Sequence, residues 1–328
     1  MGLLITLAEK DFTIMSERDL TVLSFQAFGT SCQVKFSPTD SIDHQFISKE
    51  VISWIERFEN RYSRYLPDSW LSKINDAAGQ FPISLSPDDK LVLQAASFVY
   101  FQSQQAIDPS CLPLTRLWQQ AKASNVVPKE SAVEKAKGLV NWEKVAYSHD
   151  EIFLPVSGMG LDFGGFGKEY AVDVISAKLE DYGCKNFLVN FGGDIFASGH
   201  ASEDNPWKVG IENPTNENKP SYVVSLNNRG LATSGNYRRF FDINNKRYGH
   251  TIDHRTGYPT IHSELTTSVV SPSCLKSGIL ATTSLLVGKE NGMRMLESEW
   301  NVEGCIQSLE SPLITNKFYD YISHENLV

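Results

Sequence analysis

Residues 159–173 read Met-Gly-Leu-Asp-Phe-Gly-Gly-Phe-Gly-Lys-Glu-Tyr-Ala-Val-Asp: an acid, three closely spaced glycines and a lysine running into a helix-forming segment. That order demands a chain that turns through Gly164, Gly165 and Gly167 into a helix start. Glycine lets backbone approach a ligand and take dihedrals closed to other residues, and the amides of a first helical turn point at any anion lying there. Asp162 and Lys168 flank the turn, with Lys168 expected as a mobile positive charge. A phosphorylated ligand suits such a turn. So does an ordinary strand-to-helix connection, because one glycine-rich motif alone is weak evidence.

With 328 residues the chain can bury a large core, as one elaborate domain or two packed ones. Its net charge is -9 with acids and bases interspersed, which argues against nucleic acid as a partner, since phosphate-backbone binding needs a basic footprint. Any phosphate site must then be local. Cys32, Cys111, Cys184, Cys274 and Cys305 are scattered, form no Cys-x-x-Cys pair and leave an odd one over, so reduced thiols are expected rather than a disulfide frame or zinc site. Residues 3–8 are too short and too closely followed by charge for a signal segment, so a cytoplasmic location is expected. No apolar run reaches membrane-spanning length.

The pattern along the chain mixes strands and helices without the regular alternation of a doubly wound sheet. Residues 23–36 read as two strands hinged at Gly29. Apolar residues Val51, Ile52, Ile55 and Phe58 place a helix over 48–62, and Ser86-Pro87-Asp88-Asp89 caps a second that reaches residue 104. After the glycine-rich turn comes a helix over about 169–182, then a strand at 186–190, a polar loop at 213–220, and a hairpin over 240–252 turned at Asn244-Asn245. Helices are expected again near Lys276 and Asn291.

Three further clusters admit a chemical reading. Asn190-Phe191-Gly192-Gly193-Asp194 ends a strand in a glycine pair and a carboxylate; it fits a ligand contact or a capped tight turn equally. Thr233-Ser234-Gly235-Asn236-Tyr237-Arg238-Arg239 sets hydroxyls beside two arginines, which bind phosphate or face solvent. His250-Thr251-Ile252-Asp253-His254-Arg255-Thr256-Gly257 offers His250 as an acid or base near neutral pH, or as a structural histidine.

In order, these segments resemble the ApbE family of FAD:protein FMN transferases. The family pattern runs through a Gly-Thr strand, an Arg-Pro-Asp-Ser-like turn, an Asp-Pro turn before Leu-Trp, Asp-x-Gly-Gly-x-x-Lys-x-Tyr-Ala-x-Asp, Asn-x-Gly-Gly-Asp, Thr-Ser-Gly-x-Tyr-Arg and His-x-Ile-Asp-x-x-Thr-Gly. Here these read Gly29-Thr30, Tyr65-Leu66-Pro67-Asp68-Ser69, Asp108-Pro109 with Leu117-Trp118, Asp162 to Asp173, Asn190 to Asp194, Thr233 to Arg238, and His250 to Gly257. The match spans residues 23 to about 290.

The resemblance implies an α+β fold, with mixed sheets and packed helices forming one FAD-binding cleft over residues 23–310, flanked by an extension at 1–22 and a tail at 311–328. It implies a transferase that splits FAD, passes FMN to a threonine of a target flavoprotein and releases AMP. Carried over by position, Phe28, Tyr65, Ala106, Ile107, Asp108, Asp162, Lys168 and Ile252 would contact FAD, and His250 with Lys168 would serve the chemistry. Gly165 and Thr282 would hold Mg2+. In two respects the chain departs: where the family carries a metal-binding aspartate stands Gly278, and where it usually has proline stands His254. Lys276, two residues before the gap, is a candidate replacement cation or a solvent-facing lysine. If the anchor is simply lost, an FAD-binding protein with reduced or absent transfer is the alternative, and Gly278→Asp would raise magnesium-dependent AMP release.

Overall fold

Nine strands hydrogen-bond into one antiparallel sheet in the same order in which they occur along the chain: Phe12–Glu17, Leu20–Ala27, Thr30–Phe36, Phe187–Phe191, Asp194–Ser198, Arg229–Gly235, Glu264–Ser271, Glu303–Ser308 and Leu313–Ile314. The computed structural model describes residues 12–17, 20–37, 42–203, 205–216, 219–235, 240–244, 246–260, 264–309 and 311–323. The apolar segment 3–8, residues 236–239 of the Thr233 cluster and Asn245 of the expected hairpin turn lie outside the described residues.

Among the described residues, every other element except the 3-10 helix Asn316–Tyr321 after the last strand is inserted between neighbouring strands. Helices α1 (His44–Tyr62), α2 (Trp70–Asp76), α3 (Pro87–Gln102), α4 (Leu112–Ser124), α5 (Glu130–Lys137) and α6 (Gly167–Asp181) fall between the third and fourth strands. A three-stranded sheet (His200–Ser202, Asn205–Glu212, Pro220–Leu226) follows the fifth. Two small hairpins follow the sixth, Phe240–Ile243 with Lys246–Gly249 and Ile252–Asp253 with Tyr258–Pro259. Helices α7 (Cys274–Val287) and α8 (Lys289–Ser298) follow the seventh. Among the described residues no helix is long and apolar enough to cross a membrane.

Side-chain alternation on the central strands explains why both sheet faces are covered. Phe187, Val189 and Phe191 pack with Ile47, Val51 and Ile55 of α1 and Ala171, Ile175 and Leu179 of α6. Leu188, on the opposite face, joins Trp207, Val224 and Leu226 of the three-stranded sheet. The expected strands at 23–36 form the Leu20–Ala27 and Thr30–Phe36 hairpin, joined through Phe28 and Gly29, both at positive φ (54° and 70°). Helix α1 starts at His44, four residues before the start expected at 48, because Asp43 caps it by accepting from the Gln45 amide.

A second core lies under α1 to α3, where Phe58, Tyr62 and Trp70 meet Leu161, Phe163 and Phe166 of the glycine-rich segment. The expected cap of α3 is a capping box between Ser86 and Asp89. Asp89 does more than cap: its fully buried carboxylate accepts from Arg61 Nε (2.6 Å) and Nη2 (2.5 Å) and from the Tyr62 hydroxyl (2.8 Å). Burial opposes its charge, yet the bonds from Arg61, Ser86 and Tyr62 hold its pKa below the usual carboxylate value. The stability this carboxylate contributes is therefore present above the unfolded value near about 4 and is lost as pH falls through the lower, folded value. Asp89→Ala is expected to cost about 3 kcal/mol in urea denaturation at pH 7, by stranding Arg61 and Tyr62, and distinctly less in strong acid. An equal loss at both pH values would refute the charged role.

Candidate active site

The loops at the ends of the central strands enclose a cavity of about 1430 Å³. Its wall includes every residue expected from the sequence: Phe28, Tyr65, Ala106, Ile107, Asp108, Asp162, Gly165, Lys168, His250, Ile252 and Thr282. The volume exceeds the roughly 300–1,000 Å³ typical of small-ligand sites, which leaves room for a dinucleotide.

Phe28 holds a left-handed φ of 54°, uncommon for an aromatic residue, and its amide donates to Glu59 Oε1 at 2.7 Å. Its ring stacks on Phe191 at 5.8 Å. Tyr65 is 72% exposed, with the Arg64 guanidinium over its ring at 4.2 Å. Arg64 also pairs through Nε with Asp162 Oδ2 at 3.1 Å, and both side chains are largely buried. Asp162 Oδ1 accepts from the Gly164 amide at 2.9 Å. Asp162 is thus the brace between the glycine-rich turn and the Tyr65 turn. Arg64 escaped the sequence reading although it directly precedes the Tyr65 block, because nothing in one sequence pairs it with a residue 98 positions away. The Asp108 carboxylate is spent within its own loop, accepting from Ser110 N (2.7 Å), Ser110 Oγ (2.6 Å) and Trp142 N (3.1 Å).

Two expectations about the glycine-rich turn need correction. Gly164, Gly165 and Gly167 do not take positive φ, so unusual dihedrals are not their reason. At Gly164 a Cβ would lie 3.0 Å from Asp162 Oδ1, and at Gly165 it would project into the cavity with only ordinary contact to Ile107. The conformational demand falls instead on Gly192 (φ 62°), where a Cβ would meet Thr30 Oγ1 at 2.4 Å. Nor is Lys168 a mobile cation. Its ammonium donates to the Phe191 carbonyl at 3.1 Å and to Asp194 Oδ2, with both side chains nearly excluded from solvent. Burial lowers the Lys168 pKa, but the Asp194 and Glu169 carboxylates outweigh it and leave it raised. Glu169, beside it, is raised by burial and then by the Asp194 charge.

Helix α7 is set against α6 by Asp173, whose carboxylate accepts from the Cys274 amide (2.7 Å) and the Leu275 amide (2.9 Å). Burial pushes Asp173 up to about 6 even so. Thr282 Oγ1 donates to Ser234 Oγ at 3.2 Å, on the cavity wall. A Cβ on Gly278 would lie 2.7 Å from Glu169 Cγ and 3.0 Å from its Oε1. Lys276 does not serve the cavity: its ammonium pairs with Glu299 at 2.8 Å, on the α8 side. His254 Nε2 bonds the Gln105 carbonyl at 2.7 Å, tying the His250 loop to the loop of Ala106 and Ile107. Trp118 Nε1 donates to the Gly257 carbonyl at 2.8 Å, which anchors the far end of the same loop.

The family model of the ApbE family matches residues 28–306. The chain belongs to the ApbE family. Among curated relatives, an FAD:protein FMN transferase of Haemophilus influenzae is 28% identical over 90% of this chain and 87% of its own length. One of Treponema pallidum is 28% identical over 82% and 79%. In fold, the chain is similar to the flavin transferase ApbE from Vibrio cholerae (TM-score 0.80, 22% identity, 95% of this chain and 99% of that one). It is likewise similar to the ApbE protein from Thermotoga maritima (TM-score 0.83, 21% identity, 93% and 100%). The α+β fold expected from the sequence is the one observed.

Lys168→Met is expected to destabilise the protein by about 3 kcal/mol in urea denaturation, because it leaves Asp194 buried, charged and unpaired beside Glu169. A solvent-mobile lysine would cost within about 0.5 kcal/mol, and that result would overturn the pairing.

Proposed function

We propose that this chain is an FAD:protein FMN transferase, acting on FAD and on a target flavoprotein that carries an acceptor threonine. The threonine oxygen attacks the phosphorus on the FMN side of the diphosphate, the bond to the AMP oxygen breaks, and AMP leaves as the hydroxyl proton passes to His250. The observation that carries the reading is the Arg64–Asp162 brace, which fixes the glycine-rich turn and Tyr65 on the wall of one dinucleotide-sized cavity that also bears His250 and Thr282. Curated relatives that cover most of the chain bear this activity as their name.

The residues divide the work by their chemistry. Tyr65 and Phe28 offer flat apolar surface to a ring system. The amides of Asp162, Gly164, Phe166 and Gly167 are spent on the Pro109 carbonyl, Asp162 and the Phe163 carbonyl, so within the turn the Gly165 and Lys168 amides are assigned to the diphosphate, while the Lys168 ammonium is held back by Asp194 and shapes the turn. His250 is exposed within the cavity and is assigned the proton transfer. When bound, Mg2+ would neutralise the charge that gathers on the diphosphate. Thr282 and the Gly165 carbonyl are its expected holders, and oxygen donors of this kind suit a hard dication. The five thiols are all free, which supports a reducing, cytoplasmic setting.

Incubation with FAD, Mg2+ and a threonine-bearing acceptor should release AMP and add FMN to the acceptor, read by chromatography and mass spectrometry. Tight FAD binding with no AMP would sink the enzyme reading. His250→Ala should lower the transfer rate by about 10²–10⁴-fold, and survival of the rate would remove the proton-transfer role. Tyr65→Ala should raise the Kd for FAD up to about tenfold, measured by flavin fluorescence, through the loss of roughly 0.5–1.5 kcal/mol of stacking.

A further inference from the structure

We propose that Glu169 supplies the metal-binding carboxylate of this protein, in place of the side chain missing at position 278, and completes an oxygen site with Thr282 and the Gly165 carbonyl. The inference rests on the transferase reading in taking magnesium to act at this wall of the cavity.

Steric exclusion is the first ground. A Cβ built on Gly278 would sit 2.7 Å from Glu169 Cγ and 3.0 Å from Glu169 Oε1. The Glu169 side chain therefore fills the volume that a Cβ at 278 would need, and one of its carboxylate oxygens lies beside that position. The site has not lost its acid; the acid enters from α6 rather than α7.

Helical register is the second. Residues 169 and 173 are one turn apart on α6, and 274, 278 and 282 are successive turns of α7. Asp173 is bound to the Cys274 and Leu275 amides, so the two helices meet at a fixed point. One turn back along α6 and one turn forward along α7 from that point bring Glu169 to Gly278. A further turn of α7 carries Thr282 along the same helix face, on the cavity wall that Gly165 also lines. Glu169, Gly278, Thr282 and Gly165 all line the same cavity.

Charge is the third. Among the described residues Glu169 closes no ion pair, and the adjacent ammonium of Lys168 is committed to Asp194 and the Phe191 carbonyl. Glu169 and Asp194 thus lie together beside one lysine, on the wall where the transferase reading places the diphosphate. A hard dication bound through carboxylate, hydroxyl and carbonyl oxygens would take up the Glu169 carboxylate that Lys168 does not pair.

The test is Mn2+ binding, read by electron paramagnetic resonance with FAD saturating and FAD affinity measured separately by fluorescence. Glu169→Gln should weaken Mn2+ binding at least tenfold. Gly278→Asp alone should bring no gain, because the new side chain collides with Glu169, which reverses the expectation from sequence. The exchange variant Glu169→Gly/Gly278→Asp should recover most of the wild-type affinity. Unchanged Mn2+ binding in the glutamine variant overturns the inference, as does tighter binding in Gly278→Asp. If the glutamine variant does not fold, the exchange variant decides: folded but without Mn2+ binding, it also overturns the inference. Wild-type protein that binds FAD but no Mn2+ defeats the metal site while leaving the flavin site standing, and protein that binds neither defeats the functional reading itself.

Discussion

The register between α6 and α7, set by the Asp173 carboxylate on two amides of α7, is the constraint from which the arrangement of the cavity wall follows. An anion at a helix N-terminus is favoured by the unpaired amides there, and a buried one resists sliding because each oxygen has its own donor. With that point held, Glu169 faces Gly278, and Thr282 reaches the Ser234 hydroxyl. A shift of one residue along either helix would rotate each of these side chains away by about 100°.

Acids on the cavity wall are managed one by one. Asp162 is paired with Arg64, Asp194 with Lys168, and Asp108 is turned into its own loop. The Arg64 and Lys168 pairings offset charges that would repel an anionic ligand, and all three contacts fix a loop. Backbone strain is spent in the same region: Phe28, at positive φ, places its ring against Phe191 and its amide on Glu59. The sheet that carries the cavity is covered on both faces.

Local signals in the sequence were legible where the physics is local. The Ser86–Asp89 capping box, the hinge at Gly29 and the glycine-rich entry to α6 need only neighbours within a few residues, and the structure has all three. Helix α4 carries only a faint local signal, because Pro113 sits in its first turn and Cys111 offers no side-chain cap bond. The sheet order has no local signal, since its third and fourth strands are separated by some 150 residues of inserted helices, strands and loops. Site residues fared better than their roles. The expected positions all reach one cavity, yet the freedom assigned to Lys168 and the dihedrals assigned to Gly164, Gly165 and Gly167 did not hold.

By itself the sequence determined the class of fold, the family and eleven of the positions that line the cavity, because ordered motifs specify which backbone turns can form and which side chains they present. Only the tertiary structure decided which charge meets which. Lys168 finds Asp194, Arg64 finds Asp162 and Lys276 finds Glu299 across long stretches of chain, and these distances are set by packing. The same holds for Gly278, which in sequence is a missing carboxylate. In three dimensions it is the space that Glu169 occupies.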